Sequence, residues 1–190
     1  MDNKELLKKR LKEHIQGVDA LPTSCGKEIL ALIDICVKAV KRGNKILLFG
    51  NGGSASQAEH IAGELVGKFY KIRKALPAIS LTTSSAIITA IANDVTFDEI
   101  FSRQIEALAK EGDVAICLST SGNSKNVIKA MEKANQLGLY TVALTGSIGG
   151  KLKDIAKLCI KVPSQDTPRI QEMHILLGHI LCEIIEEALC

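Results

Sequence analysis

Apolar residues recur along this chain with two different periods, and the switch between them predicts its architecture. Leu6, Leu7, Leu11 and Ile15 stand among charges over residues 2–17, the stripe of an amphipathic helix that faces one partner surface. Leu21-Pro22-Thr23-Ser24 predicts a break. A second helix runs from Gly26 to Lys41 on Ile29, Leu30, Ile33, Cys36, Val37 and Val40, and Arg42-Gly43-Asn44 ends it with a glycine C-cap. From there the period shortens. Ile46–Phe49, Ala78–Leu81, Val114–Leu118, Thr141–Leu144 and Cys159–Val162 are short and apolar, and read as strands covered on both faces. Helical patterns fill 55–67, 85–92, 98–110, 124–137 and 150–157. Thr167-Pro168 opens a last helix reaching Leu189, with Thr as N-cap and Pro at the first helical position.

This alternation predicts an α/β fold: a five-stranded parallel sheet flanked by helices in a flavodoxin- or Rossmann-like three-layer arrangement, preceded by N-terminal helices. The chain carries no internal repeat, low-complexity tract or flexible linker. The expected organisation is one domain over 1–190. Residues 1–42 form a helical appendage for packing or oligomerisation, and 43–190 form the α/β core with its long C-terminal helix.

Hydrophobic residues make up 46% of the 190, enough for a substantial core. Aromatics are only 3% with no Trp, which argues against stacking platforms for nucleic acid. The net charge of +3, from 24 basic and 21 acidic residues, is too balanced for nucleic acid or an anionic membrane and suits a small anionic metabolite. The six cysteines show no CxxC spacing, and four of them, Cys36, Cys117, Cys159 and Cys182, sit in apolar patterns, as buried thiols in a reducing compartment do. The first residues lack the apolar core of a signal peptide, and no apolar run spans a bilayer. A cytoplasmic protein without membrane partners is expected.

The chemistry concentrates in two loops at predicted strand ends, where ligands of such sheets bind. Ser119-Thr120-Ser121-Gly122-Asn123-Ser124 joins the third strand to a helix. Free backbone N–H groups, the positive end of the helix dipole and four short hydroxyl side chains favour an anion there, read as a phosphate on a small molecule. An ordinary helix-capping turn has the same composition. Gly50-Asn51-Gly52-Gly53-Ser54 follows the first strand. It fails the dinucleotide fingerprint, because the third glycine falls at Ala55 and no acidic residue closes a second strand at the usual distance. Its glycines either let backbone approach a bound group or simply make a tight turn.

His60 and Glu64 are four apart on the helix after that loop and share a face. The spacing suits a base beside an acid, two ligands of one metal, or a solvated polar stripe. On the last helix Gln171 and His179 lie roughly 80° apart on the wheel with a rise of about 12 Å, which permits a shared site without establishing one. Gly178 leaves room for another segment, and His174 reads as a core histidine. Asn93-Asp94 interrupts an apolar segment, where Asp94 can bind a sugar hydroxyl or cap a helix. Asp166 and Arg169 flank the start of the last helix, and the pairing of the two is the default expectation.

Gly50-Asn51-Gly52-Gly53-Ser54, His60 with Glu64, Asn93-Asp94, Phe101-Ser102-Arg103, Ser119–Ser124, and Arg169-Ile170-Gln171-Glu172-Met173-His174 followed by His179 occur in register over nearly the whole chain. Together they resemble a sugar isomerase (SIS) domain, and specifically the phosphoheptose isomerases. The resemblance implies a homotetramer with sites at subunit interfaces. It also implies interconversion of sedoheptulose 7-phosphate and D-glycero-D-manno-heptose 7-phosphate, feeding lipopolysaccharide or surface-glycan precursors. Glu64 is then the general base and His179 the general acid. Ser119, Thr120, Ser121 and Ser124 would hold the phosphate. Asn51, Gly52, Gly53, Ser54, Asn93, Asp94 and Gln171 would line the sugar site. Some members resemble zinc proteins with ligands at the positions of His60, Glu64, Gln171 and His179, which implies one zinc per subunit. Two departures stand out: Lys68 where the family commonly has Arg, which removes a planar fork, and fewer glycines in Ala92–Thr96. Other readings are an isomerase of another sugar phosphate, a non-catalytic SIS protein that associates with the bacterial replication initiator, and an NAD-dependent dehydrogenase. The presence of both Glu64 and His179 favours an enzyme, and the failed fingerprint disfavours the dehydrogenase.

Overall fold

The computed structural model describes residues 2–190. Its sheet has five parallel strands, β1 (Ile46–Gly50), β2 (Ala78–Ser80), β3 (Val114–Ser119), β4 (Tyr140–Thr145) and β5 (Leu158–Lys161), in the order β2-β1-β3-β4-β5. The helices are α1 (Asn3–Lys41), α2 (Gly53–Val66), α3 (Ser85–Asp94), α4 (Ser102–Leu108), α5 (Lys125–Gln136), α6 (Leu152–Ile155) and α7 (Thr167–Leu189), with a 3-10 turn at Phe97–Glu99. Successive strand residues point to opposite faces. Leu48, Ile116, Leu118 and Leu144 pack under α1, α2 and α7, while Leu47, Phe49, Cys117 and Ala143 pack against α4 and α5. Both faces are buried, so the strands carry apolar residues throughout. The order reverses between β1 and β3, and the two loops singled out above leave the sheet on either side of that switch point.

The N-terminal region keeps the two expected helices and shifts the break between them. Helix runs on past Pro22, and the chain leaves helical geometry at Cys25 (φ −149°, ψ 18°), where a kink parts the two halves of α1. Pro22 removes one backbone donor. Around the kink, side chains bond carbonyls one turn back: Thr23 Oγ1 donates to the Ala20 oxygen at 3.0 Å, and Ser24 and Cys25 reach the Leu21 oxygen. Helix α1 ends as the glycine predicts. Gly43 (φ 77°) donates to Val40 and Asn44 to Ala39, the paired bonds of a glycine-terminated helix. Its second half sends Leu32, Ile33, Cys36 and Ala39 into the core shared with α2 and α7.

A second correction lies at α7. Asp166 is the N-cap and Thr167 is already helical, with Pro168 in the first turn. Arg169 pairs with Glu172 and donates to the Arg10 carbonyl oxygen at 2.9 Å, while Asp166 faces Arg10. The expected Asp166–Arg169 pair does not form. All six cysteines are free, and Cys36, Cys117 and Cys182 are buried, with burial pushing their thiols well above the ordinary range. No helix among the described residues is long and apolar enough to cross a membrane.

At the amino end of the sheet a buried carboxylate ties β1 to β3. Asp113 accepts from the backbone of Lys45 at 3.0 Å and of Lys110 at 2.9 Å, and pairs with the Lys45 ammonium at 2.5 Å. Burial pushes its pKa up, but those donors outweigh burial and hold it below the usual range. Asp113→Ala strips the partner from a half-buried lysine and is expected to cost about 3 kcal/mol, read as a lower melting temperature at neutral pH. Because the folded pKa is the lower one, this contribution is present above the unfolded carboxylate pKa. It fades as pH falls through the folded value, and the gap between variant and parent narrows with it.

Candidate active site

Two groups of side chains gather at the carboxyl end of the sheet. The first surrounds a cavity of about 210 Å³ lined by Asn51, Ser54, Ser119, Thr120, Ser121, Ser124, Thr167 and Gln171. The hydroxyl loop leaves β3 at Ser119 and enters α5 at Lys125. Ser124 caps α5 without a side-chain bond to the helix, which leaves its hydroxyl available. Gly122 makes the turn possible at φ +65°, and a Cβ there would lie 2.1 Å from the Gly149 carbonyl oxygen. Asn123 fastens the outer side, its carbonyl accepting from Lys151 N at 3.0 Å and its amide donating to the Ser121 oxygen at 3.0 Å. The result is a hydroxyl-lined cradle at a helix N-terminus, a setting that suits an anion.

The glycine loop is tied to this cradle. Asn51 and Asn126 exchange two amide hydrogen bonds at 2.9 Å, and Asn126 also accepts from Val127 N. The Asn51 amide is thereby engaged in the scaffold. Gly52 (φ 57°) caps α2, and Gln171 packs over Gly53, where a Cβ would sit 2.7 Å from its amide nitrogen. Gln57 donates to the Gln171 main-chain oxygen at 2.7 Å.

The second group lies where α2 and α7 run side by side. His60 Nε2 and His179 Nε2 are 2.9 Å apart, one ring donating to the other, and Glu64 Oε1 is 3.6 Å from His60 Nε2. Phe69 lies beside the His179 ring, with centroids 5.9 Å apart. Gly178 allows this approach, since a Cβ there would meet Ile61 Cδ1 at 2.5 Å. Two imidazole nitrogens and a carboxylate oxygen are donors of the kind zinc takes, while facing Nε2 atoms at 2.9 Å share a proton and stand closer than two nitrogens on one zinc ion. Among the described residues, no group of three or more His, Cys, Asp or Glu side chains is arranged to hold a metal ion. The donors fit zinc in kind, with two of them meeting directly.

The predicted residues thus divide. Asn51, Ser54, Ser119, Thr120, Ser121, Ser124 and Gln171 share one cavity, with Gly52 and Gly53 at its edge, and His60, Glu64 and His179 form the neighbouring cluster. Asn93 and Asp94 lie exposed at the end of α3, bonded to each other at 2.7 Å, and line neither. His174 is buried, its Nε2 3.3 Å from the Thr145 oxygen, and burial pushes its pKa down to about 4, so it is neutral. Thr167 lines the cavity, and Asn126 and Gln57 bond to Asn51 and Gln171 behind it; the sequence reading gave none of the three this place. Thr167 carried a signal read differently, as a cap, while Asn126 and Gln57 gave no pattern apart from ordinary helical polarity.

The SIS domain family model matches residues 13–146. The chain is 52% identical to a phosphoheptose isomerase of Aquifex aeolicus over 98% of this chain and 97% of that one. Among solved structures it superposes on a phosphoheptose isomerase from Francisella tularensis with a TM-score of 0.95 at 34% identity, and on one from Neisseria gonorrhoeae with 0.93 at 37%. Each alignment covers 98% of this chain and all of the other. An α/β sheet with a phosphate-type cradle at its switch point is the architecture of a sugar-phosphate binding domain. The chain belongs to the SIS domain family and, within it, to the phosphoheptose isomerases.

Gly122→Ala places a side chain in a left-handed conformation and against a backbone oxygen that cannot step aside. The expected result is a loss of at least about 1 kcal/mol of stability, with binding of inorganic phosphate, followed by calorimetry, weakened at least about tenfold.

Proposed function

We propose that this chain interconverts sedoheptulose 7-phosphate and D-glycero-D-manno-heptose 7-phosphate through an enediolate. The observation that carries the reading is a carboxylate and a histidine on packed helices, next to a hydroxyl-lined anion cradle at the same end of the sheet. Full-length identity near 50% to named phosphoheptose isomerases supports it.

Moving the carbonyl between C2 and C1 requires a proton to leave one carbon and return to its neighbour. Glu64 is the base that carries it, on one face of α2 with His60. His179 moves protons on the oxygens, its ring held by the hydrogen bond to His60. Ser119, Thr120, Ser121 and Ser124 grip the phosphate, so the far end of the substrate supplies the energy that orients C1 and C2. Thr167 and Gln171 close the cradle on the α7 side. His60, Glu64, Gln171 and His179 would hold one zinc ion, which when bound supplies charge stabilisation for the enediolate.

The assembly we propose is a homotetramer. Leu7, Leu11 and Ile15 form a stripe on α1, each more than half exposed, which a second copy would cover. Site completion between subunits would give exposed Asn93 and Asp94 a sugar to bind. Sedimentation of the purified chain reads the state directly, and a monomer would contradict it. Six free thiols fit a reducing, cytoplasmic setting, with the product entering heptose-containing surface glycans.

Incubated with sedoheptulose 7-phosphate, the zinc-supplied protein is expected to form the aldoheptose phosphate, followed by NMR. Glu64→Gln should bind phosphate as the parent does while turnover falls at least about 100-fold. Turnover in the variant close to the parent's would overturn the base assignment. Binding without conversion in the parent would instead favour a non-catalytic SIS protein.

A further inference from the structure

Glu64 stands in the last turn of α2 and His179 in the middle of α7, so the catalytic geometry depends on how the far ends of these helices are fixed. One buried ion pair fixes both. The Arg73 and Glu186 side chains are 3% and 1% exposed, and Arg73 Nε donates to Glu186 Oε1 at 2.8 Å. The rest of the guanidinium caps α2: Nη2 donates to the Glu64 carbonyl oxygen at 2.9 Å, and Nη1 to that of Leu65 at 2.8 Å, with those of Lys74 and Gly67 at 3.2 and 3.4 Å. The Glu64 and Leu65 carbonyls are among those the end of a helix leaves without helical partners, and a cation suits them.

The carboxylate does the matching work on the other side. Glu186 is seven residues, two helical turns, beyond His179 and so on the same face of α7. It accepts from the backbone N–H groups of Phe69 at 3.2 Å, Tyr70 at 2.8 Å and Lys71 at 2.9 Å. That segment carries the Phe69 ring that lies beside His179. Burial pushes the Glu186 pKa up, but these three amides and the guanidinium outweigh it and bring it down to about 2. Each nitrogen of the guanidinium and both carboxylate oxygens have a partner, and the bonds join α2, α7 and the segment that follows α2.

We propose that Arg73 and Glu186 are positioning residues of the isomerase: a buried clamp that sets Glu64 relative to His179 by capping the helix of one and packing Phe69 on the ring of the other. The proposal rests on the assignment of Glu64 and His179 made above. A small error in the placement of such groups is costly, on the order of 100-fold in rate for 1 Å.

The test compares Glu186→Gln, Arg73→Lys and Glu187→Gln. Glu187 is the neighbouring exposed partner of Lys71 at 2.8 Å and serves as the control. In Glu186→Gln, turnover number is expected to fall at least about tenfold with KM for sedoheptulose 7-phosphate within about threefold of the parent. Binding of inorganic phosphate should be unchanged, and Glu187→Gln should resemble the parent. Arg73→Lys keeps the charge but loses the fork, so an intermediate loss is expected, and this variant decides the matter if Glu186→Gln does not fold. The imidazole NMR signals of His60 and His179 should move in Glu186→Gln and Arg73→Lys and stay in Glu187→Gln. This second readout holds even if the parent converts no heptose phosphate, which would count against the isomerase reading alone. Folded clamp variants with parental turnover and unmoved histidine signals would overturn the proposal, as would a loss confined to KM.

Discussion

The close packing of α2 on α7 is the contact on which the rest of the site depends. Gly178 removes a side chain where α7 crosses Ile61, and the two helices come near enough for His60 and His179 to share a hydrogen bond at 2.9 Å. A helix with no gap at that position would hold the rings apart. The contact lies inside the same apolar core that covers one face of the sheet, with Leu65, Leu177 and Leu181 around it. Core packing and catalytic geometry are therefore one arrangement, and dense interiors transmit displacement instead of absorbing it.

The hydroxyl-lined cradle is built on a different principle. It is a loop, and it is stiffened by backbone and amide bonds in place of apolar burial. Gly122 lies against Gly149, Asn123 bridges to Lys151, and the Asn51–Asn126 pair ties the first loop to the second across the switch point. Ser121 Oγ accepts from Asn123 N within the loop, while Ser124 caps α5 without a side-chain bond and keeps its hydroxyl free of the helix. Rigid backbone with spare short donors suits an anion whose far end is to be aligned.

Much of this was legible in the chain, and the reasons for what was not are physical. The strands showed because a parallel sheet covered on both faces needs continuous apolar runs, and Val114–Leu118 is apolar throughout. The hydroxyl loop showed because its residues are adjacent in sequence. The break between the first two helices showed because of Pro22, but helix runs through a proline that removes only one donor, and the kink falls three residues later at Cys25. Thr167 was read as a cap, yet Asp166 takes that place and frees Thr167 to line the cradle. Arg169 found Glu172 one turn on, a shorter reach than Asp166 allowed. Arg73 and Glu186 had no local signature at all, being 113 residues apart and joined only by the fold.

The central claim is that Glu64 moves a carbon-bound proton, and solvent isotope exchange addresses it most directly. Incubated in deuterium oxide with sedoheptulose 7-phosphate, the protein is expected to place deuterium on C1 of the ketose and C2 of the aldose, with Glu64→Gln placing almost none. Deuterium entering those positions in Glu64→Gln at the parent's rate would contradict the account, since it would mean that another base moves the carbon-bound proton.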